Sequence, residues 1–327
     1  MSAPYKPPYD ITPAILTLVA EIAAEVGRLG ALSGQGSVPK LRRENRIKSI
    51  HASLAIENNT LTLEQVTAVI EGKRVLGKPS EIQEVKNAFA AYEAMAGWNL
   101  HAVKDLLAAH RILMAGLVDD AGRFRSRAVG IAQGGRVVHL APPADRVAGL
   151  MKDLLAWLKR TDAHPLVAGC VFHYELEFIH PFADGNGRMG RLWQTLILSH
   201  WNPLFAFLPV EMVIRDRQSD YYRVLGTCDK AGNSTAFVEF LLATLLTALL
   251  EVSGTDQVKS LLKVLGTKPL SAVECMTRLK LSHRPTFRAN YLHPALTSGL
   301  IERTIPDKPN SRLQKYRLTE KGRAHIS

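Results

Sequence analysis

The stretch HPFADGNGRMGR, residues 180–191, says more about the fold than any other part of the sequence. It brings a histidine, an aspartate, an asparagine, three glycines and two arginines together in twelve positions. Apolar segments flank it on both sides, CVFHYELEFI at 170–179 and LWQTLILSHW at 192–201. Both segments are apolar enough to form buried helices. The pattern therefore predicts two core helices that hold one short polar loop between them.

The first half of this loop offers a base and a place for an anion. Pro181 ends the preceding helix and leaves His180 at its C-terminal edge as a titratable side chain. Gly185 and Gly187 permit positive φ and close backbone approach, so successive N–H groups can surround an anion. The next helix begins within this turn and adds the positive end of its dipole. These features favour a phosphate-binding site beside a general base.

The second half of the loop adds charged groups. Arg188 and Arg191 lie three positions apart and share a helix face, from which both can bind phosphate through two parallel hydrogen bonds. Asp184 offers a hard oxygen ligand for Mg²⁺ that phosphates already hold. Each feature alone has an ordinary explanation as a cap, a turn or a solvated side chain. Their combination indicates nucleotidyl or phosphoryl transfer to a hydroxyl. The loop is not a P-loop, since the sequence has no G-x-x-x-x-G-K-[ST] pattern.

The twelve residues match every fixed position of the Fic-family signature, H-x-F-x-[DE]-G-N-G-R-x-x-R. The resemblance extends over roughly residues 80–250 and includes GRFR, LAPPADRV and YYRVLGTCDKAGNSTAF. Members of this family mostly transfer AMP from ATP to a Ser, Thr or Tyr hydroxyl of a target protein. The resemblance therefore implies a protein adenylyltransferase that uses ATP together with Mg²⁺, with Mn²⁺ as an alternative.

The resemblance also implies a role for each loop residue. His180 is the base that deprotonates the target hydroxyl, and Asp184 holds Mg²⁺ between the α- and β-phosphates. Phe182 anchors the loop in the core, and Arg191 reaches the γ-phosphate. Tyr222 lines the adenine pocket, although a buried core tyrosine fits that position equally well. The nucleotide-binding residues implied in this way are Gly185, Asn186, Gly187, Arg188, Gly190, Arg191 and Tyr222.

Between residues 122 and 143 the pattern changes from helical to strand-like. Gly134 and Gly135 separate two short apolar runs, which predicts a β-hairpin. By resemblance, this hairpin is the flap that docks a target segment as an added strand. Its turn has no acidic or aromatic feature that would identify a target. The residues implied for target docking are Val129, Gly130, Ile131 and Ala132.

A second short motif, SLAIEN at residues 53–58, lies upstream of the core. From the residues alone it could be an ordinary helix end with a capping asparagine. Beside such a core, however, Ser53, Glu57 and Asn58 resemble the family's inhibitory motif, [ST]-x-x-x-E-[GN]. The resemblance implies that Glu57 pairs with Arg191 and displaces the γ-phosphate. It also implies that Glu57 can help a water molecule to remove AMP from a modified hydroxyl.

Composition excludes several classes of protein. The chain has 327 residues, 46% of them hydrophobic, and can bury cores for two or three domains. The N-terminus lacks a signal-peptide pattern, and the apolar run at 240–250 is about half the length that spans a bilayer, so we expect a buried helix and no membrane. The three cysteines are odd in number and far apart, which argues against disulfides and zinc. A cytoplasmic location fits best.

Positive charge is concentrated at the C-terminal end. Residues 1–256 hold 27 Lys or Arg against 26 Asp or Glu, whereas residues 257–327 hold 14 against 4. The pattern of this tail is a helix, a helix-turn-helix pair and two strands, which predicts a basic winged helix. Such a module suits duplex DNA, although protein docking or dimerisation is the alternative. The predicted DNA contacts are Arg284, Arg288, Arg312 and Lys315.

The predicted fold is mainly α. It comprises an N-terminal helical region at 1–79 with the inhibitory helix, a Fic domain with its hairpin flap at 80–253, and a winged helix-turn-helix domain at 257–327. The polar stretch SGTDQ at 253–257 is predicted to be the linker. Expected partners are a target protein, duplex DNA and a second copy in a homodimer.

Two other functions compete with this one. A DNA-binding regulator could use the core only as a nucleotide sensor, but an intact His180 argues against it because sensing needs no base. The core could also transfer phosphate or phosphocholine. Arg188 and Arg191 instead favour a nucleoside triphosphate bound for AMP transfer.

Overall fold

The structure, a computed structural model, describes residues 4–32, 38–133, 136–266, 268–309 and 311–324. The chain forms two compact units, residues 1–248 and 249–327. The first consists of helices with one hairpin, and the second consists of short helices with a three-stranded antiparallel sheet. The predicted fold class, mainly α with a hairpin in a helical core, is therefore confirmed.

The first unit contains most of the helices of the described chain. Eleven α-helices and two short 3₁₀-helices, Met95–Gly97 and Pro203–Phe207, begin among its described residues, and two strands follow the fifth α-helix. The elements are α1 Pro13–Leu32, α2 Val38–Ile56, α3 Leu63–Ile70, α4 Pro79–Ala94, α5 Val103–Leu113, β1 Gly130–Gln133, β2 Arg136–Leu140, α6 Ala144–Arg160, α7 Pro165–Ile179, α8 Asn186–Trp201, α9 Val210–Asp216, α10 Gln218–Ala231 and α11 Thr235–Leu265.

Helices α7 and α8 form the centre of this unit, as the apolar segments on both sides of the loop predict. Pro165 occupies the first turn of α7, where its missing N–H costs no hydrogen bond, and residues 166–176 are all buried. Helix α8 packs along α7 and is buried over most of its length. Because both helices are enclosed, the loop between them is held by a rigid core.

Helix α11 is longer than the sequence suggests. The predicted linker at 253–257 is wrong, because these residues lie inside the continuous helix Thr235–Leu265. Buried apolar residues resume at helical spacing after the polar stretch, and one glycine in a helix costs only about 1 kcal/mol. By length and composition α11 could cross a membrane, but half of its most apolar stretch is buried in the protein, as in a core helix. The buried residues after the stretch are Val258, Leu261, Leu262 and Leu265.

The hairpin forms where it is predicted. Strand β1 pairs antiparallel with β2, with Gly130 opposite Leu140 and Ile131 opposite His139. The register shifts after Ile131, which marks a bulge. The predicted turn residues Gly134 and Gly135 lie outside the described residues.

Helix α2 ends at the SLAIEN motif. Asn58 adopts a left-handed conformation at φ 66°, which ends the helix, and the N–H of Asn59 donates to the Leu54 carbonyl. The Gln218 amide on α10 donates to the carbonyl of Ile56 at 2.9 Å. The end of α2 is thereby fixed from within and from a neighbouring helix.

The second unit contains the three-stranded sheet, in which the strand Lys315–Leu318 lies between Leu270–Ser271 and Ile301–Arg303. The predicted second helix of the helix-turn-helix pair is not one regular helix, since a π-helical turn over residues 288–292 separates two short α-helices. An apolar core that includes Phe287, Tyr291 and Tyr316 joins the helices to the sheet. The elements after α11 are β3 Leu270–Ser271, α12 Ala272–Arg278, α13 Arg284–Phe287, α14 His293–Thr297, β4 Ile301–Arg303, β5 Lys315–Leu318 and α15 Glu320–Ala324.

Candidate functional site

The loop at 180–191 is closed by its own asparagine. The buried side chain of Asn186 donates to the carbonyl of Phe182 at 2.8 Å and accepts from the N–H of the same residue at 2.9 Å. Phe182 is fully buried, and its ring stacks on His110 with 3.7 Å between ring centroids. The loop is therefore rigid before any ligand binds, as a site that positions reacting groups requires.

His180 occupies an unusual backbone position. It caps α7 in the left-handed conformation at φ 50°, which costs a non-glycine residue about 1–2 kcal/mol. Its Nδ1 lies 3.3 Å from the carbonyl oxygen of Glu177. A carbonyl only accepts, so Nδ1 carries the proton in this contact and Nε2 is the basic nitrogen. The backbone strain is typical of a side chain that is held in place for function.

Asp184 and Gly185 form the turn into α8. Gly185 has φ 83°, which favours glycine, and a Cβ there would lie 2.7 Å from the Met114 sulfur, so that side chain would have to shift. The Asp184 carboxylate is 59% exposed. Its Oδ1 accepts from the Gly185 N–H at 2.6 Å and from Arg188 at 3.2 Å. This carboxylate faces solvent beside the helix N-terminus, where a hydrated cation can reach it.

Gly187 corrects one expectation. It lies in the first turn of α8 with helical backbone, so it is not needed for positive φ. A Cβ at this position would instead lie 2.5 Å from Glu57 Oε1 and 3.1 Å from Arg191 Nη1. Glycine is present because another group occupies that space. The surface over the helix N-terminus is therefore a cradle that a side chain would fill.

The first loop arginine, Arg188, is 6% exposed and bridges two carboxylates. Its Nη1 lies 3.2 Å from Glu84 Oε1 on α4, and its Nη2 lies 3.2 Å from Asp184 Oδ1. Glu84 also accepts a hydrogen bond from Asn59, next to the end of α2. Within the described part of the chain, the buried Nε of Arg188 has no hydrogen-bond partner. Such an orphaned donor is costly unless a ligand satisfies it.

The second loop arginine, Arg191, is 2% exposed and is bound by the SLAIEN motif. Its Nη2 lies 2.7 Å from Glu57 Oε1, the pairing that the sequence predicts, and it also donates to the Ser53 carbonyl. Its Nε donates to Ser53 Oγ at 3.0 Å. Burial alone would lower the pKa of this guanidinium, but Glu57, together with Tyr221 and Glu177, raises it above the usual value. The two arginines thus contact different partners although they lie three residues apart.

Comparison with known proteins fits this geometry. Residues 100–198 match the Fic/DOC family, and residues 256–319 match the family described as filamentation induced by cAMP protein Fic-like, C-terminal domain. The chain is 63% identical to a Fic family protein from Desulfovibrio desulfuricans G20, over 97% of this chain and 99% of that one, with a TM-score of 0.75. The chain belongs to the Fic family.

More distant Fic relatives carry a functional name. The chain is 31% identical over 220 residues to the protein adenylyltransferase Fic of Nematostella vectensis, which is 63% of this chain and 49% of that protein. It is 31% identical over 218 residues to the protein of the same name from Drosophila melanogaster, 63% of this chain and 42% of that one. The chain thus spans about half or less of the length of these curated relatives. Fic-1 of C. elegans, at 23% identity over 75% of this chain and 72% of that one, shares the fold with a TM-score of 0.60.

Several polar groups around the Fic loop were not identified from the sequence. Glu177 on α7 accepts from the Tyr221 hydroxyl at 3.2 Å, and that hydroxyl lies 3.1 Å from His173 Nε2. Burial raises the pKa of Glu177, but His173, His180 and Arg191 together outweigh it and the net pKa is lowered. A histidine and a glutamate four apart in the apolar segment 170–179 were the signal that could have revealed this network.

His110 on α5 contacts the loop through its ring and through a hydrogen bond to the loop backbone. Its Nδ1 accepts from the Gly122 N–H at 2.8 Å, and its Nε2 lies 3.0 Å from the Asp184 carbonyl oxygen. These partners fix the neutral tautomer with the proton on Nε2. Burial lowers the pKa of His110, which is consistent with a neutral ring. A lone histidine on the apolar face of α5 was too weak a signal to assign this role from sequence.

Tyr222 and the predicted flap residues lie in different environments. The Tyr222 side chain is partly exposed, and burial followed by the nearby Glu57 carboxylate raises its pKa. It is therefore not a core tyrosine, and its ring lies 5.3 Å from the ring of Tyr221. Val129 precedes β1 and its carbonyl accepts from the Ala141 N–H at 3.3 Å. Gly130, Ile131 and Ala132 are placed in β1 by their backbone pairing.

The predicted DNA contacts lie in the second unit, and all four side chains are exposed. Arg284 is the first residue of α13, and Arg288 is the first residue of the π-helical turn. Arg312 lies between β4 and β5, and Lys315 starts β5 on its exposed face. Exposed positions such as these allow the side chains to contact the phosphates of an extended anion.

Proposed function

We propose that this Fic protein transfers AMP from ATP to a hydroxyl of a protein side chain. The observation that carries the proposal is the complete loop at 180–191, which holds His180, Asp184 and Arg188 around the N-terminus of α8. Relatives at 31% identity are named protein adenylyltransferase Fic. The reaction type therefore rests on the loop geometry and on the name of those relatives.

The residues present fit a nucleotide polyphosphate. The orphaned Nε of Arg188 and the glycine cradle at Gly187 are features that a bound phosphate would satisfy and fill. In the described residues, no three His, Cys, Asp or Glu side chains cluster to hold a metal ion. Mg²⁺ would therefore be bound by Asp184 together with phosphate oxygens and water, the usual pattern for this ion. When bound, it would neutralise charge that develops on the phosphates.

The chemistry follows from the position of His180. Its Nε2 takes the proton of the target hydroxyl while the hydroxyl oxygen attacks the α-phosphorus. The bond from the α-phosphorus to the oxygen that bridges the α- and β-phosphates breaks, and pyrophosphate leaves. The N–H groups at the start of α8 and the Arg188 guanidinium stabilise the negative charge on the phosphates.

We also propose that Glu57 inhibits the enzyme. The carboxylate forms an ion pair with the guanidinium of Arg191, the group that would otherwise bind the γ-phosphate. Two anions compete for one charge-assisted hydrogen-bonding fork, so ATP binds in the reactive orientation only when Glu57 withdraws. Because Glu57 is 30% exposed while Arg191 is 2% exposed, the carboxylate is the partner that can move. The same carboxylate supports AMP removal by orienting a water molecule.

The decisive experiment compares wild type, Glu57→Gly and Glu57→Gln with ATP labelled on the α-phosphate. We expect strong automodification of Glu57→Gly, weaker labelling of Glu57→Gln and little labelling of wild type, with AMP mass on the intact protein. γ-Labelled ATP should give no label, which distinguishes AMP transfer from phosphate transfer. A folded Glu57→Gly protein that takes up no AMP, with or without candidate targets, contradicts the proposal. Incubating modified protein with wild type then tests AMP removal.

A second function is proposed for the basic C-terminal unit, which we infer to be a winged helix that binds duplex DNA. The support is the excess of basic residues after position 256 and the exposure of Arg284, Arg288, Arg312 and Lys315. Protein docking or dimerisation is the outcome if DNA does not bind even at low salt. The homodimer and the cytoplasmic location stay predictions from the sequence.

A further inference from the structure

One buried arginine outside the signature contacts the backbone of the loop and of the hairpin together. Arg125 is 3% exposed, and each of its four side-chain hydrogen bonds goes to a backbone carbonyl. Its Nε donates to His180 at 2.7 Å and its Nη2 donates to Ile179 at 3.3 Å. Its Nη1 donates to Arg127 at 2.9 Å, and Nη2 also donates to Pro142 at 2.5 Å. One guanidinium thus binds three separate stretches of backbone.

Two of those stretches form the base of the hairpin. Arg127 lies just before β1 and Pro142 just after β2. Inside them, the Ala141 N–H donates to the Val129 carbonyl at 3.3 Å. The guanidinium of Arg125 therefore closes the hairpin at the point where its two strands leave the core.

The third stretch is the loop backbone around His180, the proposed general base. The His180 N–H donates to the Leu176 carbonyl, and its own carbonyl accepts from Arg125. The N–H of Arg125 donates to the next carbonyl, that of Pro181, at 2.9 Å. Residue 125 thus binds three consecutive carbonyls, at 179, 180 and 181. A left-handed conformation at a non-glycine residue persists only where its surroundings over-determine it, and these bonds do so.

We propose that Arg125 is a positioning residue that sets the distance between the docked target segment and His180. The inference rests on the proposed function, since it takes the hairpin as the surface that receives the target. A target strand paired with the hairpin inherits the position of the hairpin base. The same guanidinium binds the ends of the hairpin strands and the His180 carbonyl. It therefore fixes the position of the acceptor hydroxyl relative to Nε2 of His180.

The chemistry of the contact requires arginine. A guanidinium presents five N–H groups in a rigid planar fork, which allows one side chain to bind carbonyls in several directions. A lysine ammonium has three donors at a single point and cannot reach all four oxygens. The partners are neutral carbonyls. Loss of the side chain therefore removes the bonds that position the backbone, but it leaves no buried carboxylate unpaired.

The experiment is performed in the active Glu57→Gly background, with Arg125→Ala and Arg125→Lys as test variants. Arg123→Ala is the matched control, because Arg123 is an exposed arginine two residues away. We expect kcat for AMP transfer to a target protein to fall about 100-fold in both test variants, as for a 1 Å misplacement of reacting groups. The affinity for Mg²⁺-ATP, measured by calorimetry, should not change, since Arg125 touches no phosphate-binding group. Added ethylguanidinium should restore part of the rate of Arg125→Ala, and ethylammonium should not.

Hydrogen exchange gives a readout that does not need activity. Amide exchange should increase together in the hairpin and at residues 179–182, while the centre of α8 stays protected. Equal loss of ATP affinity and of kcat, or activity of Arg125→Lys equal to the parent, overturns the positioning role. If the parent Glu57→Gly transfers no AMP, the proposed function fails, and the exchange data alone decide the linkage. Exchange that increases in only one of the two stretches then refutes it.

Discussion

The loop site and the basic C-terminal unit use positive charge in opposite ways. In the loop, Arg188 and Arg191 are almost fully buried, and each is paired with a carboxylate. In the C-terminal unit, Arg284 and Arg288 are exposed to solvent. A buried charge is costly unless it is paired, so the fold itself must supply the partner and fix its geometry. An exposed charge needs no partner, and its contribution is diffuse and screened by salt.

This difference sets the size of the expected effects. A single substitution at the loop should change chemistry by orders of magnitude, because each group there is positioned in advance. A single substitution on the basic surface should change binding gradually, in proportion to the number of phosphates contacted. We therefore expect the effects of substitution to decrease from the loop to the basic surface.

The largest effect is expected for His180→Ala in the Glu57→Gly background. Loss of the base should lower the rate of AMP transfer by about 100- to 10,000-fold, the range for general base catalysis. ATP affinity, measured by calorimetry, should stay near that of the parent, because the base acts on the hydroxyl. His200→Ala, at the exposed far end of α8, is the matched control. A loss of ATP affinity as large as the loss of rate would show that His180 serves nucleotide binding instead.

The next effect concerns the carboxylate at the turn into α8. Asp184→Asn removes the charge that would bind Mg²⁺ but keeps an oxygen that can accept from Gly185 and Arg188. The Mg²⁺ concentration at half-maximal rate should rise at least about tenfold, since even outer-shell partners of metals matter by 10- to 100-fold. A Mg²⁺ titration at saturating ATP measures it. An unchanged requirement for Mg²⁺ would exclude Asp184 as a ligand.

The features of the site that could be predicted from the sequence lie in short, contiguous motifs. The pairing of Glu57 with Arg191 was predictable because both residues lie in short motifs that resemble Fic-family motifs, and the resemblance supplied the pairing. The loop between two buried helices was predictable because apolar runs and Pro181 mark its limits. In both cases the information is local in the chain.

What the sequence did not reveal depends on contacts between distant segments. Arg125 ends the GRFR stretch and Glu84 lies on a helix, but neither pattern shows a partner, and only packing places them against residues 179–181 and Arg188. Gly187 was expected to serve a turn, because sequence does not show which group lies above a glycine. The continuation of α11 through 253–257 was missed for the reverse reason, since tertiary burial of later residues outweighs a locally polar, glycine-containing stretch.

A smaller effect is expected on the basic surface, where charge reversal at Arg284 and Arg288 together should weaken binding to duplex DNA. The slope of log affinity against log salt should become shallower by about 2, one for each phosphate that is no longer neutralised. Reversal of Lys73 and Arg74, both exposed in the first unit, removes the same charge and is the matched control. Fluorescence anisotropy with a labelled duplex at several salt concentrations measures both.

The control also separates contact from net charge. If both double variants reduce the slope equally, binding depends on overall charge and the C-terminal unit does not provide the interface. Absence of binding by wild type at low salt would favour a protein-docking role for the unit. Neither outcome affects the assignment of AMP transfer, which rests on the loop.

The smallest effect is expected for Ser53→Ala, which tests how tightly the inhibitory segment is held. Ser53 Oγ accepts from Arg191 Nε at 3.0 Å, while the Ser53 carbonyl and Glu57 bind the other end of the same guanidinium. Removing the hydroxyl should cost about 1 kcal/mol, the typical net contribution of one hydrogen bond, because two other acceptors still bind the guanidinium. The carbonyl and Glu57 remain, so inhibition should weaken without being abolished. We expect automodification above that of wild type and well below that of Glu57→Gly, measured by intact mass over time.

In the Glu57→Gly background, Ser53→Ala should add little, because the carboxylate it helps to hold is gone. Equal stimulation in both backgrounds would mean that Ser53 acts on Arg191 directly and not through the Glu57 carboxylate.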